Sequence, residues 1–408
     1  MRSHKIKMIG GLINFLRFLA PRMALPLLTL LLLAFLARWL STYDYASYLF
    51  YYAIAVIVSG LADGGIRDSH YFLVAKSLNK KVFKAIYKAK LIVSASLLLV
   101  GIIASVFMGG DFKYLFVVML LAVVMPVGDV GLMILKAKNQ PAKELLVGVL
   151  EGVVGLMVLA AFIYNKMELG FIGALLILSS TGLVRSVFVY FMAKQFIEAS
   201  CSTVEYPSRN VSIKNTAAIV GGNIYNRVPA LALSGNLPVE IYNTLITMLT
   251  LVQRLELIPT AAIQAYFSTE KKLTTSPKAL WKILGFIFVL SIFISVIGYF
   301  SSDFIIYMFM GERYLSHSFL AEKVLLVTPL ILVGYGSRYI LQLTRKLNLI
   351  NIWVLICILF SFYSYYFSYT ADHFLVSLGA NLLLLFLGTF VILFFSFVNE
   401  KKAQCDEV

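Results

Sequence analysis

Apolar residues fill most of the chain in twelve long runs, separated by short polar connections. The runs fall at about 10–38, 45–66, 91–108, 114–135, 144–164, 168–192, 216–234, 239–266, 283–300, 319–344, 349–370 and 374–397. Most are close to the roughly 20 residues that a helix needs to cross about 30 Å of hydrocarbon. Lipid cannot satisfy backbone amides, whereas a helix satisfies them internally, so each run predicts a spanning helix. The fold class expected is all-α: a polytopic membrane protein of about twelve transmembrane helices. The first run is too long, and too interrupted by arginine and proline, for a cleavable signal, and reads as a retained first helix.

The longest polar stretch on the basic side, about 194–215, contains Glu205, Pro207, Ser208, Arg209 and Asn210 and divides the helices six and six. The expected organisation is an N-terminal lobe at 1–198, a linker at 199–215, a C-terminal lobe at 216–400 and a tail at 401–408. The halves carry a faint parallel repeat. A shift of 194 residues superposes Tyr48 on Tyr242, and Pro126 and Pro329 lie centrally in the fourth helix of each half. Parallel repeats occur in transporters, with the solute site near their interface.

Polar residues inside the apolar runs carry the chemistry. In the eighth helix Glu240, Asn243, Thr247, Thr250 and Arg254 recur at intervals of three and four, which keeps them on one face. The seventh repeats the idea with Thr216, Asn223, Arg227 and Ser234. The first holds Asn14, Arg17, Pro21, Arg22 and Pro26, and its two prolines kink it. A charge at membrane depth costs roughly 2.5–3.5 kcal/mol on insertion scales, so it faces protein or water rather than lipid. Arg227 and Arg254 therefore read as lining a hydrated interior. For Arg17 and Arg22, snorkelling to the interface stands as the alternative. Asp63 and Arg67 are four apart, a spacing suited to an ion pair or to a joint substrate contact. Asp129, Glu144, Glu151 and Glu256 are further internal acids. A carboxyl raised toward neutral pKa by desolvation would suit ion coupling, and Asp63, Asp129 and Glu151 are the candidates for coupling to H+ or Na+. Lys76, Lys80, Lys84 and Lys88 recur every four residues, as a topology signal or as a basic ribbon that recruits a phosphorylated lipid.

Composition agrees. The 408 residues are 60% hydrophobic and 13% charged, where a soluble domain carries about 25% charged residues. Net charge is +15, but the basic residues sit in short loops and point to topology, not nucleic acid. Of the lysines and arginines, 24 lie in connections on one side and four on the other. The positive-inside rule then places both termini in the cytoplasm. Trp39, Tyr43, Tyr45 and Tyr48, and later Tyr363, Tyr365, Tyr366 and Tyr369, fall where an outer interfacial belt is expected. Cys201, Cys357 and Cys405 are too scattered for a disulfide framework, and the four histidines have no metal-ligand spacing. No phosphate-cradling GxxxxGK[ST] loop is present, and the outer connections, the largest about Ser301 to Ser318, leave no room for a catalytic domain. The expectation is a transporter, not an enzyme, with no cofactor and no metal.

Three segments carry a family resemblance: Leu36-Ala37-Arg38-Trp39-Leu40 through Tyr48 to Gly60-Leu61, Asp63, Gly64 and Arg67; Gly222 and Asn223 through Tyr242 to Arg254 and Pro259; and Met310-Gly311-Glu312-Arg313-Tyr314-Leu315. With twelve spans in two lobes, the chain resembles the multidrug/oligosaccharidyl-lipid/polysaccharide (MOP) exporter superfamily. Within it, the chain looks most like the O-antigen (Wzx-type) flippases of the bacterial inner membrane. The resemblance implies two six-helix lobes around a central cavity, lined by the first, second, seventh and eighth helices. It implies alternating access and, as substrate, an undecaprenyl-pyrophosphate-linked oligosaccharide such as an O-antigen repeat unit. Arg17, Arg22, Arg67, Arg227 and Arg254 would then hold the pyrophosphate, since guanidinium donates paired hydrogen bonds to its oxygens. Asn223, Asn243, Thr247 and Thr250 would meet the glycan. Partners implied are the bilayer and other polysaccharide-assembly membrane proteins. A cation-coupled multidrug antiporter of the same superfamily is the first rival, although a site for cations should favour acids. A membrane polymerase or glycosyltransferase is the second, and a non-transporting scaffold the third.

Overall fold

The computed structural model describes residues 30–63, 80–107, 114–138, 140–165, 170–196, 209–256, 258–259, 263, 277–343 and 347–405. These residues are helical throughout, joined by short turns, with no strand among them. In chain order the helices are α1 (Leu30–Trp39), α2 (Thr42–Asp63), α3 (Lys80–Phe107), α4 (Leu115–Ala137), α5 (Pro141–Tyr164), α6 (Phe171–Lys194) and α7 (Arg209–Ala232). There follow α8 (Val239–Arg254), α9 (Pro277–Phe300), α10 (Ser302–Met310), a 3-10 turn (Glu312–His317), α11 (Ser318–Leu326), α12 (Thr328–Leu343), α13 (Leu347–Tyr366) and α14 (Ala371–Cys405). Eight of the described helices are long and apolar enough to cross a membrane. The other expected spans differ for local reasons. Helix α7 carries four Asn, two Arg and a Lys, α8 has 16 described residues, and the first run is described only from Leu30.

The tenth run, expected as one span, is a pair of helices, Glu312–Leu326 and Thr328–Ile340, bent by 42° at Val327. Pro329 lies in the first turn after the break, where its missing N–H leaves no helical bond unmade. Pro126 and Pro229, by contrast, lie inside unbroken helices. The outer stretch Ser301 to Ser318, expected as a loop, is mostly α10 and the 3-10 turn. They meet at Gly311, whose φ of 88° lets its amide close on the Ile306 and Tyr307 carbonyls. Helix α3 begins at Lys80, well before the expected start of its apolar run at 91.

The described residues form two compact units, one within Ala24–Ser234 and the other within Gly235–Val408. In the first unit α4 packs against α2, α3 and most extensively α6, α5 packs on α6, and α7 packs on α2. The approach of α4 to α6 depends on Gly128 and Gly131. A Cβ at Gly128 would lie 2.9 Å from the Ser186 hydroxyl, and one at Gly131 would lie 2.9 Å from the Val189 carbonyl. Small residues at such crossings are what membrane helices use in place of a hydrophobic driving force. In the second unit α12 packs on α9 and α14, α13 on α14, and α11 on α8 and α9. Asn381 ties α14 to α13. Its amide donates to Ser364 Oγ at 2.8 Å, and its carbonyl accepts from Ser361 at 2.6 Å.

Candidate functional site

In the first unit the site begins on one face of α2. Tyr45, Tyr48 and Tyr52 are spaced three and four apart and stack in a column, with ring centroids 6.1 Å and then 5.8 Å apart. All three are buried. The guanidinium of Arg227 on α7 lies 5.4 Å from the Tyr52 ring centroid, and Arg227 is only 9% exposed. Stacking of this kind contributes roughly 0.5–2 kcal/mol. One turn earlier on α7, the Asn223 amide donates to the Val56 carbonyl of α2 at 3.0 Å. The helices come this close because residue 60 is glycine: a Cβ there would lie 2.8 Å from Asn223 Nδ2.

Two ion-pair groups lie elsewhere in the same unit. Lys90 on α3 donates to Asp63 at 2.6 Å and to the Pro126 carbonyl at 3.1 Å, with the two side chains 1% and 5% exposed. In the second group Arg185 on α6 pairs through Nη2 with Asp129 on α4, and its Nε lies 3.7 Å from Oε2 of Glu151 on α5. One arginine therefore joins three helices. Each of the three acids expected to serve ion coupling stands beside a cation.

In the second unit α8 carries the polar stripe as expected. Asn243, Thr247 and Thr250 are buried, and Glu240 and Arg254 at its ends are half-buried. The Asn243 amide donates to the Tyr314 hydroxyl at 3.2 Å, so the stripe meets the 3-10 turn that follows Gly311.

The structure brings Arg227 and Asn223 together on α2, and Asp129 and Glu151 together on Arg185. Arg254 belongs to the other unit. Arg17, Arg22 and Arg67, with the suggested Asp63–Arg67 pair, lie outside the described residues. The expected belt divides in two. Tyr43, Trp39, Tyr363, Tyr366 and Tyr369 are exposed and fit an interfacial role, but Tyr45, Tyr48 and Tyr365 are buried and do not. Helical spacing decides this, because Tyr45 and Tyr48 lie on the face of α2 that carries Tyr52. Sequence reasoning missed Lys90, which lies between the second and third apolar runs, and Arg185, which lies inside the sixth. For Arg185 the signal was present: an arginine deep in an apolar run needs an internal partner.

No family model and no curated protein matches the chain. Solved structures do. A multidrug resistance MATE family transporter of the MOP superfamily in its outward-facing conformation is 15% identical, covering 95% of this chain and 96% of that one, with a TM-score of 0.59. The inward-facing conformation of such a transporter is 13% identical over 95% and 99%, with a TM-score of 0.56. MATE in the straight conformation is 15% identical over 95% and 99%, with a TM-score of 0.60. The described residues thus share the helical fold of these solved MATE transporters, which are known in outward- and inward-facing conformations.

Proposed function

We propose that the chain is an alternating-access exporter of an amphiphile with an anionic head, and that this amphiphile is a polyprenyl-pyrophosphate-linked oligosaccharide. The observation that supports this is Arg227, a guanidinium nine-tenths buried over the Tyr52 face. A headgroup-seeking arginine would be exposed. In this reading Arg227 holds the pyrophosphate, Arg17, Arg22, Arg67 and Arg254 are further candidates for that role, and the polyprenyl tail stays in lipid. Asn243, Thr247 and Thr250 meet sugar hydroxyls, and Asn223 holds α7 against α2. The basic side faces the cytoplasm of a bacterial inner membrane, and Asp63, Asp129 and Glu151 couple the cycle to H+ or Na+.

The second reading is a cation-coupled multidrug antiporter, and similarity to multidrug resistance transporters supports it better than it supports the glycan carrier. Against it stands the pairing of Asp63, Asp129 and Glu151 with cations, where a cationic drug would call for an acid of its own. Proteoliposomes decide between them. Wild-type protein should move a fluorescent lipid-linked oligosaccharide to the far leaflet, Arg227→Lys should keep part of that activity, and Arg227→Ala should lose at least tenfold. Export of a cationic dye by a wild-type protein that leaves the glycolipid in place would establish the antiporter instead.

A further inference from the structure

Helices α3 and α9 share an arrangement that topology alone does not require. The shift of 194 residues that superposes Tyr48 on Tyr242 also carries Lys84 and Lys88 of α3 onto Lys278 and Lys282 of α9. Lys84, Lys88 and Lys282 are exposed. Beyond them the same face of each helix stays open and turns apolar. Ile92, Leu99 and Val106 on α3 are 56%, 57% and 69% exposed, and their counterparts Phe286, Phe293 and Phe300 are 52%, 62% and 82% exposed. A basic head thus continues into a stripe facing acyl chains, once in each unit.

Lysines also open both helices, where cations are least favoured: Lys80 and Lys81 lie in the first turn of α3 and Lys278 in that of α9, with no acid in either turn, and Lys84, Lys88 and Lys282 follow within the next two turns. The N-terminal end of a helix carries partial positive charge and unsatisfied amides, so cations there are unfavourable and an anion is favoured. Orientation by positive charge needs lysines only somewhere in the connecting loop.

We propose that the basic ends of α3 and α9 are two equivalent binding sites for an anionic phospholipid. The phosphate would sit against the lysine pair at the basic end of each helix, and the acyl chains would lie along the exposed stripe. This is independent of the solute transported. The test uses the full chain in detergent with phosphatidylglycerol and phosphatidylcholine, read by native mass spectrometry. Wild-type protein should retain phosphatidylglycerol in preference. K84Q/K88Q and K278Q/K282Q should each weaken one site roughly ten- to thirty-fold, and the quadruple variant should lose the preference. K84R/K88R, which keeps charge, and K323Q, which alters an exposed lysine paired with Asp372, should match wild type. Circular dichroism checks that each variant is folded. A folded quadruple variant with undiminished preference for phosphatidylglycerol would overturn the proposal.

Discussion

Replacing Asp63 with leucine should destabilise the first unit sharply, and removing Lys90 as well should restore most of the loss. The Lys90 ammonium is 1% exposed and has Asp63 at 2.6 Å and the Pro126 carbonyl at 3.1 Å. At an effective dielectric near 20, two unit charges at that separation attract by about 6 kcal/mol. Desolvation of both ions cancels much of this, so the intact pair contributes little net stability. Asp63→Leu is different, because it strands a buried cation with a carbonyl and no counter-charge, at a cost of about 3–5 kcal/mol. On the scaling for a unit of about 200 residues, that lowers the unfolding midpoint by roughly 6–20 °C. The assay is thermal unfolding of the detergent-solubilised chain for wild type, Asp63→Leu, Lys90→Met and the double variant. The double variant should lie within a few degrees of wild type, since an apolar pair of similar volume replaces the ions. Additive losses, or an unchanged midpoint for Asp63→Leu, would refute the placement of Lys90 against Asp63.

Two further outcomes follow from helix packing. Gly131→Ala should cost about 1–3 kcal/mol by overpacking, since its Cβ would meet the Val189 backbone, whereas Gly285→Ala in α9, with open space around it, should be neutral or stabilising by up to about 1 kcal/mol. Thermal unfolding of the two variants side by side checks the contrast. Asn381→Leu should cost about 1–2 kcal/mol by removing the bonds between α13 and α14, and Ser361→Ala in that background should then cost little more, because its acceptor has gone.

Much of the fold was legible in the sequence because the physics of spanning helices is local. Backbone bonds close within four residues, so an apolar run long enough to cross lipid names its own element. The polar stripe of α8 was legible for the same reason, since helical spacing alone puts Asn243, Thr247 and Thr250 on one face. The break at Val327 and helix α10 were not, because apolar content does not distinguish a straight span from a bent pair or a loop from an apolar helix.

The sequence by itself thus determined a helical membrane chain, the charges within its apolar runs and the basic side of its connections. Only the tertiary structure decided what those charges do. Asp63 meets Lys90 across 27 positions, and Asp129 meets Arg185 across 56. Which helices come close enough for such pairs depends on contacts such as Gly128 against Ser186 and Gly60 against Asn223. The same holds for Tyr45 and Tyr48, whose rings are buried because α2 is covered on that face. Helical periodicity assigns a residue to a face, but what lies opposite that face is set by packing between segments far apart in the chain.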